Sequence, residues 1–281
     1  MALIFHQNMR VYGGGAPGRN AAYNVALAAI NLATGANYWA AGFTEITNNA
    51  ASVLALLARA AVLDPGLTRI VVIEVGTTAL GTREFLGIAW DPGSINVQHG
   101  GSVIKNSITM DWDAHNVANG ALGTAGNRTI GLGGGPLAAD TRGLAYIAGL
   151  QIATGNAFLF GFLHNMYALG NKTEMYQRLG TIADNAREAA GGAYAGAEVI
   201  IGGDFNLEPH EERANKRHRG PLTLSTCIAL DGFGNYINTT AVNPYDYWRV
   251  SNGALTDAEA AVHLQTRVPL ASDHAAIVLT R

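Results

Sequence analysis

The chain has 281 residues, 48% of them hydrophobic and 14% charged, with 35 glycines and a formal charge of −3. This composition describes a globular protein with a buried core and long loops and excludes an intrinsically disordered one. It also excludes a global electrostatic pull toward nucleic acid or an anionic membrane, so a polyanion has to be met by a local patch or a metal ion. Cys227 is the single cysteine, which rules out an internal disulfide framework and a zinc site built from thiolates. The N-terminus MALIFHQNMRVYGGG lacks the basic and apolar regions of a signal peptide, and no window approaches the ~18 apolar residues of a membrane span. The expectation is a cytoplasmic protein or the mature form of a secreted bacterial one.

In chain order, MALIFHQN reads as an apolar strand and GGGAPG (13–18) as a loop. Asn20 to Thr34 spaces its apolar residues as a helix does, and Asn49 to Leu63 repeats the pattern with Asn49 as cap. NYWAAGFTEI between them reads as a buried strand, and TRIVVIEVG (68–76) as another. REFLGIAWDPGSINVQ (83–98) reads as two strands joined across the turn DPGS. From His115 to Gly143 the chain is too glycine-rich for a core element, which predicts a long surface loop. AYIAGLQIATGNAFLFGFLHN reads as two strands turning at ATGN, followed by a helix from Thr173 to Ala190 and the strands EVIIGG, AVNPYDYWRV and HAAIVLT. No repeat or composition break marks a linker, so residues 1–281 are expected to form one mixed α/β domain.

Several of these strands end in residues that chemistry uses: Asn8, Glu45, His164, Asp204 with Asn206, and Asp273 with His274 just before the last strand. Alone, each is ordinarily a turn, cap or structural residue. Strand ends of an α/β sheet are also where loops converge on ligands. Together these residues supply hard oxygen ligands and imidazoles, which suit Mg²⁺ and phosphate better than zinc. In EVIIGGDFN the alternate positions of Asp204 and Asn206 predict that a single strand presents both side chains in one direction.

The stretches NMR, TEI, FLHN, GGDFN and SDHAAIVL, in this order from Asn8 to Leu279, resemble the endonuclease/exonuclease/phosphatase superfamily, which includes deoxyribonuclease I. Thr44 stands where members more often have Gln. REFLGIAWDPGSINV is similar to the strand pair of the deoxyribonuclease I-like enzymes, which would place Glu84 beside His164. TRGLAYIAGLQIATGNAFLFGFLHN with GDFNLEP is similar to the catalytic subunit of cytolethal distending toxins.

The resemblance implies an α/β, two-sheet sandwich with outer helices in four layers. It implies a Mg²⁺ cofactor, with Mn²⁺ or Ca²⁺ as alternatives, held by Glu45, Asn8 and Asp273. Asp204 and Asn206 would contact metal, water or phosphate; His274 would pair with Asp246 and His164 with Glu84 as the acid–base groups. Arg142 would face the phosphate, and Arg213, Lys216, Arg217 and Arg219 in HEERANKRHRG (210–220) would touch a nucleic-acid backbone. His6, His99, His115 and His263 match no family site and are read as structural or surface residues. GGGAPG and GLGGG lack the Gly-Lys-Ser/Thr ending of a phosphate loop.

The function so implied is a metal-dependent phosphodiesterase, an endonuclease with DNA as partner and substrate. The same site chemistry leaves open a phosphoinositide or other phosphoester phosphatase, or a phospholipase, because surrounding loops choose the substrate. A catalytically silent binding module is the non-enzyme alternative. The chain shows no apolar surface hairpin for entering membranes, which favours nucleic acid.

Overall fold

The computed structural model describes residues 2–13, 17–47, 49–77, 82–104, 107–109, 129–131, 143–165, 169–209, 222, 224–251, 264–268 and 272–281. The first half contains β1 (Leu3–Tyr12), α1 (Pro17–Thr34), β2 (Tyr38–Ile46), α2 (Asn49–Leu63), β3 (Arg69–Thr77), β4 (Arg83–Trp90), β5 (Ile95–Ile104), β6 (Ser107–Thr109) and β7 (Thr129–Gly131). The second contains β8 (Leu144–Gln151), β9 (Ala157–His164), α3 (Leu169–Ala190), β10 (Glu198–Asp204), β11 (Ser225–Cys227), β12 (Asp246–Val250), β13 (Leu264–Val268) and β14 (Ala276–Thr280).

The strands form a 6-stranded sheet in the order β13-β14-β1-β2-β4-β3 and an 8-stranded sheet in the order β11-β12-β10-β9-β8-β5-β6-β7. Period-two alternation in the sequence decides how they stack. On β1, Leu3 and Phe5 point into a core shared with α1 and α2, while Ile4 points into a core between the sheets. On β9, Leu159 and Leu163 meet α3, while Phe158, Phe160 and Phe162 fill the space between sheets. Both faces of each central strand are therefore covered, which is why these strands read as nearly continuous apolar runs. The result is a four-layer sandwich, helices outside and sheets inside.

Among the described strand pairs, β1 with β2 and β9 with β10 run parallel. A parallel pair needs a crossover, and α1 and α3 supply them. The strands on either side of DPGS do not form a hairpin. β4 pairs with β2 and β3, whereas β5 pairs with β8, so the turn carries the chain from one sheet to the other. Asp91 holds that turn by accepting the Gly93 amide at 2.8 Å and the Ser94 hydroxyl at 2.5 Å.

Other differences from the expected elements have local causes. AVNPYDYWRV is a strand only from Asp246, because Pro244 offers no ladder donor. α1 begins at Pro17, a residue preorganised for the first turn, inside the expected GGGAPG loop. In the glycine-rich 115–143 stretch, Thr129–Gly131 is a short strand paired with β6, and most of the rest lies outside the described residues. A turn closed by a Leu230–Tyr236 bridge leaves Phe233 92% exposed and Leu230 52% exposed, beside the polar pair Asp231 and Asn235. No helix among the described residues is long and apolar enough to cross a membrane.

Glycine is required where the sheets meet. A Cβ on Gly42 of β2 would fall on the Phe162 ring of the opposite sheet, and one on Gly202 of β10 would fall on Trp248 of β12. Gly42→Val should destabilise the fold by about 3 kcal/mol and lower Tm by roughly 10 °C, through overpacking that cannot relax into solvent. Thermal denaturation followed by circular dichroism checks this; an unchanged Tm would contradict the inter-sheet packing.

Candidate active site

The rows of side chains facing between the sheets change character as they approach one edge of the sandwich. On β1 the row Ile4, His6, Asn8 passes from apolar to polar, and on β9 the row Phe160, Phe162, His164 does the same. On β10 the row is Ile200, Gly202, Asp204; on β12, running the opposite way, it is Val250, Trp248, Asp246; on β4 it is Ile88, Leu86, Glu84. The period of two thus delivers Asn8, His164, Asp204, Asp246 and Glu84 to one polar end of the inter-sheet space. The ladder fixes their neighbours, Asp204 standing opposite His164 on one side and Asp246 on the other.

Glu45 and Asn206 reach the same place by breaking the period. Glu45 follows Thr44 on β2 and would face away, but its φ of 59° and the register shift between Phe43 and Ile46 turn it. Its Oε2 accepts the Val11 amide at 3.0 Å, and its Oε1 lies 3.1 Å from His164 Nε2. Asn206 lies beyond the strand, which stops at Asp204, and has φ 49°. The expected presentation of Asp204 and Asn206 by one extended strand is therefore replaced by a turn. In it the Asn206 amide donates to Asp204 Oδ1 at 2.9 Å, and Asn206 Nδ2 donates to the Asn165 carbonyl at 2.8 Å.

Asp204 is the hub. Only 1% exposed, it presents Oδ2 to Asn8 Nδ2 at 3.2 Å, to His164 Nε2 at 3.7 Å and to His274 Nε2 at 3.6 Å. Each imidazole is held from behind by its own carboxylate. His164 Nδ1 lies 2.6 Å from Glu84 Oε1, and His274 Nδ1 lies 2.8 Å from Asp246 Oδ2. An ionised carboxylate only accepts, so the Nδ1 proton of each ring points at it and the Nε2 atoms face Asp204.

Burial pushes the Asp204 carboxyl above its usual range, and the charge of Asp246 pushes it further; His274, His164 and the Asn206 amide offset part of this. Burial would lower His274, but the hydrogen bond and charge of Asp246, with the charges of Asp204 and Asp273, outweigh it and hold the imidazole at about 10. Asp204, Asp246 and His274 place ligand atoms within 4.8 Å of one another. Two buried carboxylates on facing ladder positions, with Glu45 and Asn8 alongside, make an oxygen-rich donor set that fits a hard divalent cation.

Of the predicted site residues, contacts join Asn8, Glu45, Glu84, His164, Asp204, Asn206, Asp246 and His274 into one network. Asp273 sits at its border. Its half-exposed carboxylate lies 3.3 Å from Arg10 Nε and accepts the Ser272 hydroxyl at 3.2 Å. Arg142 and the basic run at 210–220 lie outside the described residues, as do His115 and His263. His6, read from the sequence as structural or surface, is wholly buried behind Asp246. Its place two residues before Asn8, on the same inward row, was the available signal.

No family model matches the chain, and no curated protein matches it. Solved structures do share the fold, which is the endonuclease/exonuclease/phosphatase fold, as in a protein of that family from Bacteroides thetaiotaomicron. The human Nocturnin catalytic domain is similar with a TM-score of 0.61 at 13% identity, over 99% of this chain and 93% of that one. The mannosyl-6-phosphatase of B. thetaiotaomicron is similar at 0.54 and 16% identity, over 100% and 99%. TDP2 of D. rerio, solved with a single-strand DNA product, is similar at 0.52 and 12% identity, over 99% and 97%.

In metal-free protein, Asp246→Asn removes the largest of the effects that oppose burial while leaving the charges of Asp204 and Asp273, so the His274 titration should fall from about 10 toward the ordinary histidine value. Side-chain NMR of His274 against pH would show it; an unmoved titration would mean that Asp246 does not hold the ring.

Proposed function

We propose that the chain is a divalent-metal-dependent phosphoester hydrolase and that its substrate is a nucleic-acid phosphodiester, DNA cut internally by water. The observation that carries this reading is the convergence of two carboxylate-backed imidazoles on Asp204, with Nε2 atoms 3.7 and 3.6 Å from its Oδ2. A nucleophilic water needs a base, a phosphoryl group needs fixed positive charge and hydrogen-bond donors, and a leaving oxygen needs a proton. This network supplies groups for each need.

Asp204 orients the attacking water and takes its proton, because burial raises its basicity and the Asn206 amide and Asn8 amide group hold its two oxygens in place. His274, carrying a proton at neutral pH and braced by Asp246, faces the non-bridging phosphoryl oxygens. His164, braced by Glu84, is the proton donor to the leaving oxygen as the P–O bond breaks. The Asn206 side chain would contact the phosphate, a role the family resemblance also gives to Arg142. Glu45, Asn8 and Asp273 would hold the cation. When bound, the cation neutralises charge developing on the phosphoryl and leaving oxygens.

The fold alone does not choose among substrates, since its solved examples include TDP2 with a DNA product and a mannosyl-6-phosphatase. The basic run HEERANKRHRG (210–220) in the sequence supports nucleic acid. The exposed Phe233 turn is the feature that supports a lipid-surface substrate instead.

Supercoiled plasmid incubated with Mg²⁺ or Mn²⁺ should be nicked, EDTA should abolish nicking, and Asp204→Ala or His274→Ala should slow it by at least about 100-fold. Parallel arms use a phosphoinositide-containing vesicle and a soluble sugar phosphate. Phosphate release in either arm without plasmid cutting would replace the nuclease reading with a phosphatase. No turnover in any arm would leave the binding module.

A further inference from the structure

The network described so far ends at Asp246, whose Oδ2 holds His274. Behind it, on the inter-sheet side, lies an imidazole that the hydrolytic scheme does not use. His6 is 0% exposed and stacks on Phe162 with ring centroids 6.3 Å apart and an interplanar angle of 18°. Its Nε2 lies 3.3 Å from Thr44 Oγ1, and its Nδ1 points at the other oxygen of Asp246, Oδ1, at 3.9 Å. That buried Nδ1 has no hydrogen-bond partner at this distance. A buried polar atom is costly to leave unsatisfied, so its orientation toward a carboxylate calls for an account.

We propose that His6 is a positioning residue: a neutral imidazole that donates from Nδ1 to Asp246 Oδ1 and thereby fixes the carboxylate that orients His274. The tautomer follows from the two neighbours. A neutral ring carries one N–H. With the proton on Nε2, Thr44 would accept it and the Nδ1 lone pair would face a carboxylate. With the proton on Nδ1, the Thr44 hydroxyl donates to Nε2 and the N–H faces the carboxylate, so both nitrogens meet groups of opposite character. Full burial disfavours the charged form of the ring. At 3.9 Å the pair is longer than a hydrogen bond, so the proposal requires the ring and the carboxylate to approach by about 1 Å in solution. Meanwhile the Asp246 amide donates to Thr239 Oγ1 at 2.9 Å, tying the backbone of the same residue. The chain His6, Asp246, His274, Asp204 then runs from the inter-sheet core to the reacting edge.

Because His6 acts through Asp246, loss of its donor should lower kcat and leave KM nearly unchanged. His6→Phe keeps an aromatic ring on Phe162 and removes the donor. His6→Asn places an amide N–H near the position of Nδ1, and His6→Gln places one near Nε2. Expected for His6→Phe is a drop in kcat of about 10-fold, with a changed ¹⁵N signature of the His274 ring at fixed pH in metal-free protein; His6→Asn should recover kcat to within about 3-fold and restore that signature. Unchanged kcat and unchanged His274 signals in folded His6→Phe would overturn the proposal, as would Asn performing no better than Phe. If His6→Phe fails to fold, Asn against Gln decides: equal behaviour of the two overturns it. The kinetic readout rests on the hydrolase reading and the ring signature does not, so in a parent without turnover the signature alone decides.

Discussion

Two carboxylates face each other across adjacent strands in the interior of this protein. Asp204 and Asp246 are direct ladder partners, 1% and 0% exposed. Like charges opposite one another in a sheet repel, and burial multiplies the cost of each. Such a pair persists only where positive charge and hydrogen-bond donors surround it. The rest of the site can be understood as that surround: His274 lies against both carboxylates, His164 against Asp204, and the Asn8 side chain and Asn206 amide donate to Asp204. A divalent cation would complete the balance, which is why the residues fit one.

The architecture brings these groups together with little dependence on loops. Asn8, Glu45, His164 and Asp204 lie at or near the carboxyl ends of β1, β2, β9 and β10, the two parallel pairs. Each parallel pair is closed by an outer helix that packs on the far face and leaves the near face for the other sheet. Stacking the sheets face to face then sets the polar ends of both pairs against each other at one edge. The close approach depends on small residues: Gly42 admits Phe162, and Phe162 in turn carries His6 on its ring. Packing in the core and orientation at the site are thus linked through one aromatic side chain.

Much of this was legible in the sequence, and what was not has identifiable causes. Apolar runs ending in Asn8, His164 and Asp204 marked the strands and their polar ends, because alternation and burial leave a strong local imprint. The partners Glu84 and Asp246 followed from family resemblance and could not have come from spacing, since they are 80 and 28 residues from the histidines they hold. The destination of the DPGS turn was hidden as well. A local turn signal says that two strands are joined, while sheet membership is a property of long-range pairing. Asn206 was misread for a further reason: alternation assumes extended backbone, and its positive φ ends the strand at the one place where the extrapolation mattered. His6 reads from the sequence as structural or surface, and the structure buries it in the core, where a histidine in an apolar strand ordinarily sits.

The unequal surroundings of the two imidazoles bear on how the labour divides. His274 sees Asp246 at 2.8 Å, Asp204 at 3.6 Å and Asp273 through space, and this concentration of negative charge favours its cationic form. A ring held in that form is a poor proton acceptor and a good partner for an anionic oxygen. Asp204 has the opposite bias, since burial and Asp246 make its carboxylate more basic than an exposed one. In a site built from neighbours whose proton affinities are pushed apart, the acid and base roles follow from the environments rather than from residue type. Under the proposed hydrolase function, the carboxylate rather than the histidine beside it would then be the group suited to take a proton from water, and the histidine's part would be to steady the phosphoryl charge.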